Sequence, residues 1–143
     1  MDIAIGRWPE FVHAMNDVYA NDDSVLAQGQ AVNLLSRLRD HFDEVYRSTA
    51  PLLQNMQRLR IMRDVSCGDA PNGLAYEFTT FKGFDVSLSY YTVCLILKLM
   101  MVSLNVFLGQ PDEAVWSEFC LYCAQMTKYV PYLRQQGKLG SML

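Results

Sequence analysis

Four polar side chains, Ser87, Tyr91, Lys98 and Asn105, stand 4, 7 and 7 residues apart in an otherwise apolar run. At about 100° per residue they share a helix stripe about 40° wide. Such a stripe must meet water, a partner carboxylate, or a cavity holding water or ligand, because a buried, unpaired lysine is costly. Tyr91 and Lys98 can act as acid or base when burial shifts their pKa values. They can equally orient a polar ligand without reacting. The plain alternative is a stripe facing water, with Lys98 stretching its ammonium to the surface. The two histidines are further acid–base candidates. His13 stands four residues before Asp17, close enough to meet it on one helix face, and His41 lies among Asp40, Asp43 and Glu44. Their plain reading is a place at the surface or the edge of a core.

Cys120 and Cys123 form a C-x-x-C. A structural zinc site needs four ligands, and the other cysteines are Cys67, in a loop, and Cys94, in the apolar run. A thioredoxin-type pair sits at a helix N-terminus after a strand, whereas this pair falls in mid-helix. It shares an apolar stripe with Phe119, Met126 and Val130, so the cysteines are expected to fill a core as small apolar residues. No metal site and no cofactor is expected. Zinc-protease, nucleophile-elbow and phosphate-loop patterns are absent from the sequence.

The elements that must position these residues are helical. Trp8-Pro9-Glu10 reads as a helix start, followed by Phe11, Val12, Met15, Val18 and Tyr19 at helical spacing. A second helix is expected from Asp23 or Ser24 to about Ser48, with Ala31, Leu34, Leu35, Leu38, Phe42 and Val45 as its apolar face. Pro51 opens a third, "PLLQNMQRLRIMRD". The glycines and proline of "SCGDAPNG" make a loop, and "LAYEFTTFKGF" reads as a short extended piece or an aromatic-anchored loop. Asp85 would cap the long apolar helix, about 85–108. Gly109-Gln-Pro111 ends it, and a last helix runs from Asp112 to about Val130, where Pro131 breaks it. Gly137 and Gly140 suggest a loose tail over 137–143. The expected fold class is all-α: a single-domain bundle of about five helices, residues 1–143, around the central apolar helix.

Composition narrows the function classes. The chain has 143 residues, 51% apolar and 19% charged, with a net charge of −3. No run of Lys and Arg supplies a footprint for nucleic acid. The opening "MDIAIGRWPEF" lacks the order of a signal peptide, so reduced cysteines and a cytoplasmic or nuclear setting are expected. Residues 86–104 approach the length of a membrane span, but Lys98 within them costs roughly 2.5–3.5 kcal/mol on an insertion scale, so no membrane partner is expected. The apolar excess calls for cover by a ligand, a protein partner or a second copy of the chain; a homodimer would supply it.

At "EFTTFKGFDVSLSYYTVCLILKLMMVSL" the sequence resembles the C-terminal regulatory region of fungal zinc-cluster transcription factors. The residues that carry the resemblance are Phe81, Phe84, Tyr90, Tyr91 and "CLILKLMM". The later "CAQMTKYVPYLRQQGKLGSML" and the earlier "LLSRLRDHFDEVYR" fit the same outline, which covers roughly residues 31 to 143. The resemblance implies an all-α fold and a role in sensing or relaying, usually inside a much longer protein. The chain departs from the family in lacking the six-cysteine zinc cluster and a basic DNA-contact segment. Stand-alone relatives of this region beside fungal biosynthetic genes could use an apolar cavity to fold a reactive metabolite.

Two functions follow as expectations. In the first, the chain is a binding module for an apolar small molecule or protein partner, with Ser87, Tyr91, Lys98 and Asn105 as ligand-binding residues. In the second, it is a cofactor-free cyclase, isomerase or dehydratase acting on a lipophilic metabolite. Its acid–base residues would come from Tyr91, Lys98, His41 and His13.

Overall fold

The computed structural model describes residues 7–21 and 23–142, with side chains as far as Gly137; the expectation for the opening residues 1–6 lies outside this range. The chain is mostly helical, with one short two-stranded sheet. Helix α1, Trp8–Ala20, carries Pro9 in its first turn and buries Phe11 and Val18. Helix α2, Ser24–Arg58, is capped by Asp23, whose carboxylate accepts the Val25 and Leu26 N–H groups.

Pro51 does not open a new helix: it lies inside α2. An interior proline removes a backbone hydrogen bond and costs about 3 kcal/mol or more. Here Val45, Thr49, Leu53 and Met56 continue the buried stripe across it, and their packing offsets that cost. The helix ends earlier than "IMRD" suggests. Arg60 takes a left-handed φ of 58°, and the Ile61 N–H bonds back to the Met56 carbonyl at 2.9 Å.

The chain then forms strand β1, Met62–Ser66, antiparallel to β2, Leu74–Phe78, where the sequence suggested a helix end and a short extended piece or loop. Met62 pairs with Phe78 and Asp64 with Tyr76, and the Arg63–Glu77 ion pair spans the strands at 2.8 Å. Gly73 supplies the positive φ, 74°, at the end of the connecting loop.

Helix α3, Phe81–Phe107, starts a turn before Asp85, with the Thr80 hydroxyl accepting the Gly83 N–H. Gly109, at φ 66°, follows its end. Helix α4, Glu113–Thr127, is capped by Asp112, and the chain turns at Lys128 and Tyr129. Helix α5, Val130–Met142, has Pro131 in its first turn and continues through the two glycines that suggested a loose tail. The core is shared by α1, α2, α3 and the hairpin. Leu34, Leu38, Leu97, Met101, Leu104 and Tyr129 are among its fully buried side chains. α3 packs mainly against α2 and α4.

Candidate functional site

Helix α4 lies antiparallel on the polar stripe of α3, and the pairing is regular. Lys98 meets Glu118, Cys94 is within reach of the Tyr122 hydroxyl, and Ser87 sits beside Tyr129. The residue numbers of each pair add to the same value, as a fixed antiparallel register requires. The stripe is therefore covered by protein: Ser87, Lys98 and Asn105 are buried and Tyr91 half-buried.

The Lys98 ammonium forms an ion pair with Glu118 and lies 3.9 Å from the centroid of the Phe42 ring on α2. Burial and charge are thus reconciled by a carboxylate and a ring face. This pairing sets the rotation of α4. With Glu118 turned inward, Cys120, two residues on, points outward. Cys120 is exposed and Cys123 half-buried, so the pair does not fill the core as expected. Among the described residues, no three His, Cys, Asp or Glu side chains come together in a metal-binding arrangement.

Beside this contact an open cleft of about 440 Å³ runs between α2 and α4, with Tyr91 lining it. Phe42 and Tyr46 stack at 6.3 Å, and Tyr122 meets Phe42 edge-on at 6.1 Å. Leu121 completes the apolar wall, and Asp43, Glu118 and Gln125 supply polar groups. Beneath lies a tyrosine cluster. Tyr76 stacks on Tyr91 at 6.4 Å and donates its hydroxyl to the Gln125 amide oxygen. The Tyr129 ring meets Tyr76 at 5.0 Å. Its hydroxyl lies near Ser87, but no partner satisfies hydrogen-bond geometry, and the Ser87 hydroxyl instead donates to the Phe84 carbonyl at 3.1 Å. The hairpin is tied in by Lys128, which pairs with Asp64 at 2.9 Å and accepts the Tyr76 N–H on its carbonyl.

Burial raises the tyrosines' pKa values first and foremost, and neighbouring phenols and the Cys94 thiol add to the shift. Tyr76, Tyr90, Tyr91, Tyr122 and Tyr129 all move upward. Burial pushes Cys94 up to about 11, although the Tyr90 and Tyr122 hydroxyls and the Lys98 charge pull the other way.

The candidate residues do not converge on one centre. Only Tyr91 of the stripe lines the cleft. Asn105 faces a different depression, between α2 and the α3–α4 turn, and its amide nitrogen has no partner. His13 is exposed and pairs with Asp17 at 3.6 Å. His41, at 1% exposure, is buried against Phe11, with ring centroids 5.1 Å apart, rather than at a surface or core edge. The larger hollow between α1 and α2, about 710 Å³, is lined by Asp17, Val25, Leu26 and Arg37 and contains none of these candidates.

Residues beyond the stripe complete the site: Phe42, Tyr46, Glu118, Tyr122 and Gln125. Glu118, Tyr122 and Gln125 stand 4 and 3 residues apart, the spacing of a second helix face. That spacing was the signal for a partner stripe to Lys98. Comparison with protein-family models, curated proteins and solved structures gave no match.

Proposed function

We propose that this chain is a helical binding module whose α2–α4 cleft takes a small, mostly apolar molecule carrying a hydrogen-bond donor, such as an amine or hydroxyl. The observation that carries the reading is the lining itself. Aromatic and aliphatic side chains make the walls, and the carboxylates of Asp43 and Glu118 at the rim accept hydrogen bonds. The cleft volume falls in the range of small-molecule pockets, about 300–1,000 Å³. In this reading α3 is the central helix of one bundle, and the role is sensing or relaying in a cytoplasmic or nuclear setting, of the kind implied by the resemblance to fungal regulatory regions. Nucleic acid is not a partner.

The enzyme alternative has less support. The tyrosines hold their protons more firmly than usual, and Lys98 is closed into an ion pair. Neither histidine lines the cleft.

The test is a thermal-shift and native mass-spectrometry screen of lipophilic amines and alcohols against the purified chain. A ligand that raises Tm and returns with its mass unchanged is expected. Tyr46 is half exposed, so Tyr46→Ala leaves the core intact and should weaken binding at least tenfold. Undiminished binding by that variant would remove the cleft from the proposal. A compound that returns rearranged would favour the enzyme.

A further inference from the structure

Asn105 is the member of the polar stripe on α3 whose buried donor goes unmet. The residue is 5% exposed, and its amide nitrogen has no hydrogen-bond partner. Buried donors in folded proteins are nearly always satisfied, so an orphan of this kind needs a reason. The local reason lies in the α3–α4 register. The pairing that sets Lys98 on Glu118 and Ser87 beside Tyr129 brings Asn105 opposite Pro111, and a proline side chain has no acceptor. The Asn105 carbonyl takes the Gln110 N–H at 2.9 Å, so the backbone of the turn is satisfied while the side chain is not.

The amide belongs to the wall of an open depression of about 600 Å³ between α2 and the α3–α4 turn, a volume within the range of small-molecule pockets. Leu35, Leu108 and Pro111 give it apolar surface. Arg39 stands on the α2 side, Asp112 and Glu113 on the α4 side. Among the described residues, none of these three charges enters an ion pair. A simple anion fits this set poorly. Asp112 already holds the Ala114 and Val115 N–H groups at 3.0 and 3.3 Å, so the end of α4 offers an anion little, and two carboxylates oppose it. A simple cation would leave the Asn105 and Arg39 donors unused. Both signs are called for, with an apolar body between the walls.

We infer that this depression is a second ligand site, one that takes a zwitterion: a free α-amino acid with an apolar side chain. Its carboxylate accepts from the Asn105 amide and the Arg39 guanidinium. Its ammonium donates to Glu113 and Asp112, and its side chain lies on Leu35, Leu108 and Pro111. The site shares no lining residue with the α2–α4 cleft, so it stands apart from the function proposed for that cleft. The depression is open, and a small ligand held there keeps much of its surface in water. Affinity is therefore expected near 0.1–1 mM, about the strength open sites give small ligands.

The experiment is a ¹⁵N–¹H NMR titration of the whole chain with L-phenylalanine. Two further titrations use 3-phenylpropanoate, which lacks the ammonium, and 2-phenylethylamine, which lacks the carboxylate. L-Phenylalanine should move the Asn105 side-chain amide signals and the backbone signals of Glu113 and Ala114, and each analogue should bind there at least tenfold more weakly. Arg39→Gln, at an exposed position, should keep the fold and weaken L-phenylalanine at least fivefold. Asn105→Leu removes the unmet donor; it should keep or raise Tm and weaken the amino acid by a similar factor. An Asn105 amide that does not respond to ~10 mM L-phenylalanine, well above the expected Kd, overturns the proposal and leaves water as its partner. So do analogues that bind as well as the amino acid, an Arg39→Gln chain that binds like wild type, or shifts confined to cleft residues such as Tyr46 and Tyr122.

Discussion

Lys98 on α3 and Glu118 on α4 form an ion pair of unequal members: the lysine side chain is 7% exposed and the glutamate 48%. Desolvation therefore falls mainly on the lysine, whose other face rests on Phe42. Removing the two partners should have unequal effects. Lys98→Met replaces the buried charge with an apolar chain of similar reach, and stability should stay within about 1 kcal/mol of wild type or rise. Glu118→Gln leaves the ammonium buried with no counter-charge. It should cost about 1–2 kcal/mol, less than a fully buried broken pair because water reaches this edge. Urea unfolding of both variants at neutral pH measures the difference. Equal losses would show that the pair itself, not the burial of its lysine, carries the effect.

The thiol and phenols beneath the cleft predict a stability limit at alkaline pH. Cys94 is raised from 9.0 to about 11, and Tyr76, Tyr91 and Tyr122 are raised from 10.0. Each group keeps its proton longer in the folded chain than in the unfolded one. The stability this provides is complete below pH 9 and is lost as pH rises through the folded-state values. For Cys94 alone the loss between pH 9 and 11 is about 2–3 kcal/mol. Unfolding free energy measured by urea titration should be flat from pH 7.5 to 8.5 in that group's contribution and fall above pH 9. Cys94→Val should delay the fall until the phenols titrate. An unchanged profile in that variant would assign the whole loss to the tyrosines.

Much of the helical framework was legible because it rests on periodicity. The α1 start at Trp8-Pro9, the α2 start at Asp23 or Ser24 and the stop at Gly109 all have local causes, and the structure shows the second of these to be the Asp23 cap. The hairpin was not legible. β1 buries Met62 fully and leaves Arg63, Asp64 and Ser66 exposed, so it shows no alternation; its pairing depends on β2 and on Lys128, far along the chain. Pro51 misled because a local rule competed with the tertiary packing of Leu53 and Met56. In the site, the stripe of Ser87, Tyr91, Lys98 and Asn105 was visible but its fate was not. Covering it needed Glu118, and covering Lys98 on both sides needed Phe42. Cys120 was misplaced for the same reason, since an apolar pattern on α4 yielded to the one carboxylate that Lys98 required.

Gly83 and Gly29 should respond in opposite directions to the same change. A Cβ on Gly83 would stand 2.8 Å from Ile61 Cγ2 and 3.0 Å from the capping Thr80 hydroxyl, where α3 enters against the end of α2. Gly83→Ala must displace one of them and should cost about 1–3 kcal/mol. Gly29 lies within α2 and has nothing within 4 Å of its added Cβ. Gly29→Ala should stabilise the chain by about 0.5–1 kcal/mol through helix propensity. Thermal unfolding of the two variants checks both signs, and a stabilising Gly83→Ala would mean that the α2–β1 corner is looser than the contact with Ile61 implies.

His41 offers the sharpest conflict between polarity and burial. Neither ring nitrogen has a hydrogen-bond partner, and the nearest carboxylate, Glu44, stays 3.7 Å from Nδ1. A buried donor and acceptor left unmet cost about 1–3 kcal/mol. The ring's packing on Phe11 returns part of that. His41→Leu keeps the apolar contact and removes both polar atoms, so it should raise stability by about 1–2 kcal/mol. His13→Ala, at an exposed site, should change it by no more than about 0.5 kcal/mol. Calorimetry of the two variants beside the wild type decides the matter. If His41→Leu were destabilising, the ring would have to be serving a buried water or a strengthened contact with Glu44. The polar group would then be part of the α1–α2 packing rather than a defect within it.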